Sequence, residues 1–140
     1  MKPLNWKLIL QLSSFGMVMG VATVFWIPST VEPVLWLVIF GICAYIIAKQ
    51  SPGRYFLHGF LVSILNSVWI TSAHVMLFHS YIANHPHEAE MMANMPMPDS
   101  PRLMMMITGP IIGVVSGLVL GLFAFVAGKF VRKPDMPGPR

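Results

Sequence analysis

The sequence predicts an all-α integral membrane protein, a four-transmembrane-helix bundle with a short amphipathic segment in the loop between helices 3 and 4. Hydrophobic residues make up 56% of the chain, whereas charged residues make up only 10%. Because a soluble domain carries about 25% charged residues, this chain lacks the charge for a soluble surface. The apolar content also excludes a disordered chain. Cys43 is the single cysteine, which excludes an intrachain disulfide scaffold.

Four apolar segments are long enough to cross a bilayer, which needs roughly 17–25 helical residues. They cover residues 8–26, 31–49, 56–80 and 104–130. Helices are the expected form, because open strands would leave backbone groups unpaired in lipid. The fourth segment exceeds the usual length, so we expect it to tilt or to begin outside the hydrocarbon. The four-span membrane domain is therefore assigned to residues 1–133, and the polar, proline-rich tail at 134–140 is predicted to be disordered and cytoplasmic.

The basic residues predict the orientation of the spans. Eight of the nine lysines and arginines fall on one side of a four-span arrangement, and only Arg102 falls on the other. By the positive-inside rule both termini are expected in the cytoplasm, in a bacterial inner (cytoplasmic) membrane. The cations lie at span ends instead of forming one patch, which argues against a nucleic-acid partner.

Small residues recur every four positions in three of the spans, and residues four apart share one helical face. The helix-packing candidates are Gly16, Gly20, Gly59, Ser63, Ser67, Gly109, Gly113, Gly117 and Gly121. Small faces let helix backbones approach closely in lipid. We therefore expect the first, third and fourth spans to pack together, with the bulkier second span at the periphery. The short connection at 27–30 predicts a tight hairpin of the first two spans. This glycine zipper fits packing inside one bundle, and it also fits contact with another membrane protein or a second copy.

Polar side chains inside the third span form a possible buried polar site, made of Asn66 and His74. Intramembrane polar groups pack helices through hydrogen bonds, and an ionisable one also marks a possible substrate or proton path. Asn66 and His74 therefore fit either structural hydrogen bonds or a cofactor-binding or transport subunit.

The loop between the third and fourth spans is rich in histidine and methionine. His87, Met91 and Met95 would share one face of a local helix, and His85 lies beside them. Imidazole and thioether groups are ligands for copper, the thioether especially for Cu(I). A possible copper site at these four residues is one interpretation. The alternative is an interfacial segment that caps the bundle, because methionine also suits adaptable apolar contacts.

The chain carries none of the nucleophile or metalloprotease motifs that signal catalysis, such as G-x-S-x-G, H-E-x-x-H or C-x-x-C. We therefore expect a non-enzymatic accessory or interaction subunit that packs through its glycine-zipper helices. Its expected partners are the lipid bilayer and either other membrane proteins or further copies of itself. Soft-metal handling through the loop is the alternative function, and a cofactor-binding or transport subunit is the third.

Three stretches carry a resemblance to a known family. They are FGMVMGVATV in the first span, FLHGFLVSILNSV in the third and IIGVVSGLVLGLFAFVAGKFVRK at the end. With four spans and a long outer loop, most of the chain resembles the small bacterial membrane proteins of domain-of-unknown-function family 4199. The histidine- and methionine-rich loop departs from the strongly acidic loop expected there. The resemblance implies the four-span topology and no catalytic residues.

Overall fold

The computed structural model describes residues 2–133, and this part of the chain forms six α-helices and no strand. The helices are α1 (Trp6–Phe25), α2 (Glu32–Gln50), α3 (Tyr55–Met76), α4 (Phe78–Asn84), α5 (Pro86–Ala93) and α6 (Pro101–Phe130). The four longest, α1, α2, α3 and α6, are long and apolar enough to cross a membrane. The predicted all-α fold class is therefore confirmed. The tail predicted to be disordered, 134–140, lies outside the described residues.

The helix bounds differ from the sequence prediction at the loop between the third and fourth spans. The helix α3 ends at Met76, four residues before the predicted end, because Leu77 leaves the helical conformation with φ −101° and ψ 30°. The chain then forms α4 before the predicted loop segment α5. The last helix begins at Pro101, whose missing N–H costs nothing in the first turn, and it continues through Pro110. Both short helices lie at the same end of the bundle, which we call the loop end; the opposite end is the terminal end.

The helix α3 forms the centre of the bundle, because it packs extensively against both α1 and α6. Small residues bring these backbones close together. A Cβ built on Gly16 of α1 would lie 2.5 Å from the Cα of Asn66, and one on Gly59 would lie 2.7 Å from the carbonyl oxygen of Leu120. Neither position has space for a side chain. Close approaches at small residues thus occur in two separate pairs, α1 with α3 and α3 with α6.

The glycine face of α6 points into the bundle toward α3. A side chain added at any of these four glycines would collide with α3, where the opposing residues are Thr71 for Gly109, Ser67 for Gly113, Phe60 for Gly117 and Phe56 for Gly121. The hydroxyls of Ser63 and Ser116 also form a hydrogen bond of 2.8 Å across this pair of helices. This face is therefore already covered within one chain.

The helix α2 packs mainly against α6 and only sparsely against α1, so the expected tight hairpin of the first two spans is not formed. A short connection fixes the distance between two helix ends but not the direction in which the second helix leaves. The buried residues of α2 begin at Ile39 and end at Ala48, and those of α6 begin at Gly113. The two helices therefore meet toward the terminal end and leave a space toward the loop end.

Substituting Gly59 with alanine is expected to destabilise the bundle by about 1–3 kcal/mol, the usual cost of overpacking a filled interior. The added methyl group would meet the backbone of Leu120, which cannot move aside as a flexible side chain can. Gly41→Ala is the matched control, because a Cβ on Gly41 meets nothing within 4 Å. The free energy of unfolding in mixed micelles checks this, and equal stability of the two variants would contradict the packing described.

Candidate functional site

A cavity of about 650 Å³ occupies the space between α2, α3 and α6 at the loop end. Small-molecule sites usually have volumes of about 300–1,000 Å³, so this cavity is of ligand size. Its walls are mostly apolar, and the large apolar residues that line it are Trp36, Leu37, Phe40, Ile70, Met105 and Ile112. The short helices contribute Tyr81 from α4 and Met92 from α5. The loop helices thus form part of the cavity wall.

Polar groups line the cavity at two depths. Ser63, Asn66 and Ser116 lie at the deep end, toward the middle of the bundle, whereas Glu32, His74, Tyr81 and Thr108 lie at the mouth, toward the loop end. Asn66 and His74 are eight residues apart on α3, which is about 12 Å along a helix axis. Ile70 lies between them. The cavity therefore has two polar ends separated by an apolar middle.

Asn66 supplies an unused hydrogen-bond donor at the deep end. Its side chain is only 2% exposed. The Oδ1 atom accepts a hydrogen bond of 3.0 Å from the backbone N–H of Gly16, which fixes the orientation of the amide. The Nδ2 atom is buried and has no partner among the described residues. A buried donor without a partner costs about 1–3 kcal/mol, so an acceptor that reaches this nitrogen would be stabilised.

His74 lines the mouth of the cavity. Its Nε2 atom lies 2.8 Å from the Oγ1 atom of Thr23. The Thr23 hydroxyl has one hydrogen, and the carbonyl oxygen of Met19 also lies 2.8 Å from Oγ1. In the tautomer in which Thr23 donates to Met19, Thr23 accepts from His74 Nε2, and the unshared electron pair of the neutral ring lies on Nδ1. Nδ1 forms no hydrogen bond within the described part of the chain.

His58 provides a useful contrast to His74. Its Nε2 atom accepts from the backbone N–H of Asn5 at 3.0 Å, and its Nδ1 atom donates to the carbonyl of Arg54 at 2.9 Å. Both ring nitrogens are thus used to join the start of α1 to the start of α3. His58 therefore has a structural role. In His74 one ring nitrogen contacts Thr23 on α1, and the other has no hydrogen-bond partner among the described residues.

Tyr81 lies between two histidine rings at the mouth. Its ring is stacked on His74 with centroids 4.4 Å apart and on His85 with centroids 4.5 Å apart. The pKa of Tyr81 is raised to about 12, mainly by burial and also by the neighbouring carboxylates of Glu88 and Glu32. These two carboxylates place negative charge near the mouth.

The charge of the cavity wall has one sign. Glu32 lines the mouth, where its Oε1 atom accepts a hydrogen bond of 3.2 Å from the indole N–H of Trp36. Among the described residues that line the cavity, none is lysine or arginine. Arg102, the nearby cation, lies 5.1 Å from the centre of the Phe78 ring and does not line the cavity.

The residues of the possible copper site do not share one face in the structure. His85 is 5% exposed, and its ring nitrogens lie 2.9 Å and 3.3 Å from the carbonyl oxygens of Tyr81 and Ile27. His87 and Met91 are exposed on α5, but this helix ends at Ala93 and leaves Met95 beyond it. Pro96 explains the early end, because a proline disfavours helical geometry in the residue before it. Copper binding at these four residues stays a prediction.

Several cavity residues were not identified from the sequence. Asn66 and His74 were predicted to form a possible polar site, whereas Glu32, Trp36 and Tyr81 were not predicted to belong to it. Glu32 and Trp36 are four residues apart in the first turns of α2, a spacing that puts both on one face and was an available signal. The position of Tyr81 depends on the break at Leu77, for which the sequence carries no glycine or proline.

Comparison with known proteins found no matching family model, no matching curated protein and no matching solved structure.

The carboxyl group of Glu88 on α5 gives a pH-dependent test of the loop end. The Ser29 hydroxyl beside it is the main cause that holds the pKa of Glu88 below its ordinary value. Burial opposes this effect, and the backbone N–H of Glu88 and the neighbouring His85 and His87 lower the pKa by smaller amounts. A lowered carboxyl pKa stabilises the folded loop above the ordinary pKa, and this stabilisation is lost as the pH falls through the folded-state pKa.

We expect Ser29→Ala to raise the pKa of Glu88 toward its ordinary value, because the carboxylate loses its hydrogen-bond donor. Thr30→Ala is the control, since it removes a hydroxyl from the adjacent, exposed residue. The measurement is an NMR titration of the Glu88 side chain in each variant. An unchanged midpoint in Ser29→Ala, or an equal shift in both variants, would show that Ser29 does not hold this carboxylate.

A Cu(I) competition titration tests the possible copper site. We expect the chain and a variant with His85, His87, Met91 and Met95 all replaced to bind Cu(I) equally weakly. The reason is that His85 would have to give up a backbone hydrogen bond and Met95 would have to move to join α5. Binding tighter than micromolar that the variant loses would instead establish a copper site at these residues.

Proposed function

We propose that this chain is a small non-enzymatic accessory protein of a bacterial inner membrane, and that it acts by holding an amphiphilic molecule in the cavity at its loop end. The observation that carries the proposal is the buried Asn66 amide nitrogen, which has no partner among the described residues and belongs to a side chain that lines a cavity of about 650 Å³. An occupant with an acceptor would satisfy this donor, and its apolar part would be matched by the apolar walls.

The position of the cavity favours an amphiphile over a water-soluble compound. No residue of α2 before Ile39 and no residue of α6 before Gly113 is buried, and the cavity lies between these parts of the two helices. We propose that the cavity opens to the lipid between them. A molecule dissolved in the adjacent lipid could enter between them without crossing water. The polar groups at the mouth would then lie near the membrane surface, where a polar head is most stable.

The distribution of charge supports the orientation proposed with both termini in the cytoplasm. Lysines at the terminal end are held in place by ring and backbone contacts. Lys133 donates a hydrogen bond of 2.8 Å to the Ser51 carbonyl and lies 5.3 Å from the centre of the Tyr55 ring, and Lys129 lies 4.6 Å from the centre of the Phe125 ring. By the positive-inside rule this end belongs in the cytoplasm, so the cavity would open into the outer leaflet.

A partner protein would have to bind a surface other than the glycine face of α6, because that face is covered by α3. The opposite face of α6 carries exposed apolar residues, including Ile111, Val115 and Leu118. We propose this face as the contact with lipid or with a partner helix. Membership of family 4199 is likewise part of the proposal, and it rests on the three sequence stretches quoted above.

Narrowing the cavity is expected to weaken binding. Ile112→Trp would add an indole at a residue that lines the cavity, whereas Ile111→Trp would add the same bulk at a neighbouring residue that does not line it. The two residues have similar exposure, 64% for Ile112 and 58% for Ile111. The measurement is photolabelling by decanol that carries a diazirine in its chain, with the labelled residues mapped by mass spectrometry.

We expect labelling of cavity-lining residues in the unmodified chain and in Ile111→Trp, and a severalfold loss in Ile112→Trp, because an indole at this wall narrows the path of the ten-carbon chain. Equal labelling of the cavity residues in both variants would contradict the proposed function. Circular dichroism of both variants confirms that the helices are retained.

A further inference from the structure

We infer that the occupant of the cavity is a cationic amphiphile, with an amine head at the mouth and a hydrogen-bond acceptor at its deep end. This inference rests on the proposed function and adds the charge and the direction of the bound molecule. It follows from the order in which acceptors and donors line the wall between α2 and α3.

The mouth offers acceptors and a negative charge. Glu32 on α2 and His74 on α3 both line it, and Nδ1 of His74 is an acceptor in the tautomer described above. A protonated amine has N–H donors for both groups and a charge opposite to that of Glu32. A carboxylate or phosphate head would meet two acceptors and a like charge, and no lysine or arginine among the described lining residues would compensate it.

An aromatic ring at the mouth also favours a cation. Trp36 lines the cavity beside Glu32, and its ring packs edge to face against Phe40 with centroids 5.8 Å apart. The face of an indole ring attracts cations, and this attraction is stronger where water is excluded. Both faces of the Tyr81 ring are covered by His74 and His85, so the cation would lie on Trp36. Glu88 adds a second carboxylate near Tyr81, and Arg102 lies over the Phe78 ring and does not line the cavity.

The deep end has the opposite character, because its unused group is a donor. The Asn66 amide nitrogen needs an acceptor, and the Ser63 and Ser116 hydroxyls beside it already share a hydrogen bond. The spacing of about 12 Å between Asn66 and His74 along α3 sets the length of the apolar body between the two polar ends. A molecule that binds with its amine at the mouth and a hydroxyl or carbonyl oxygen at the deep end would satisfy both the acceptors at the mouth and the Asn66 donor.

A series of probes with the same ten-carbon, diazirine-bearing chain tests the charge. Decylamine, decanol and decanoate differ only in the head group, and each would be applied to the full chain in nanodiscs of zwitterionic phosphatidylcholine. We expect decylamine to label the cavity at a concentration about tenfold lower than decanol and to exceed decanoate by more, since an ion pair supported by aromatic contacts contributes about one order of magnitude.

Glu32→Gln is the variant that tests the role of the carboxylate. Glutamine keeps an acceptor for the Trp36 indole and removes the charge, so the start of α2 is preserved. We expect the preference for decylamine over decanol to fall about tenfold in this variant, in line with the loss of one charge pair. Glu90→Gln is the matched control, because Glu90 is exposed on α5 and does not line the cavity. This control should keep the full preference.

The direction of binding has its own test, with decylamine compared against aminodecanol, which has its hydroxyl at the far end of the chain. We expect aminodecanol to bind severalfold more tightly, because its hydroxyl oxygen can accept from Asn66, a gain comparable to one hydrogen bond. Equal or weaker binding of aminodecanol would overturn the assigned direction.

The outcomes separate the inference from the proposed function. Cavity labelling by decanol or decanoate at the same concentration as decylamine would overturn the inference and leave the proposed function standing. A preference for decylamine that survives Glu32→Gln would overturn the role assigned to the mouth. Absence of cavity labelling by every probe would overturn the proposed function itself.

Discussion

The close approach of α3 to α1 on one side and to α6 on the other determines the rest of this bundle. Gly16 and Gly59 allow both contacts, because a side chain at either position would meet the backbone of the neighbouring helix. Once α3 lies between these two helices, α2 is left to pack mainly against α6, and it does so only toward the terminal end. The cavity is the space that this arrangement leaves at the loop end. Tight packing of three helices and an open site beside the fourth thus have one cause.

The contact between α1 and α3 also fixes the positions of two polar side chains of the cavity. Asn66 binds α1 through Oδ1 and the Gly16 backbone, and His74 binds α1 through Nε2 and the Thr23 hydroxyl. Each side chain is held by one atom, so its second polar atom has a fixed position without a partner in the described chain. Such fixed groups lose little conformational entropy when a ligand binds, which is why preorganised sites gain affinity.

The sequence was sufficient for the all-α fold class and for four helices long and apolar enough to span a membrane, because these depend on hydropathy and segment length. It was not sufficient for the arrangement of the helices. The short connection after α1 predicted a hairpin, yet α2 leaves α1 and packs against α6. The break after Met76, which brings Tyr81 between His74 and His85, depends on tertiary contacts and on no local signal. The cavity combines residues from five helices, so no single segment could reveal it.

The most direct test of this account is the NMR resonance of the Asn66 side-chain amide, observed in nanodiscs while aminodecanol is added. We expect a resonance typical of an unpartnered amide in the free protein. We expect the Asn66 side-chain amide proton to shift downfield as aminodecanol binds, and the shift to saturate. A resonance that already indicates a hydrogen bond in the free protein, or one that does not move while aminodecanol labels the cavity, would contradict the central claim that this nitrogen is kept free for a ligand.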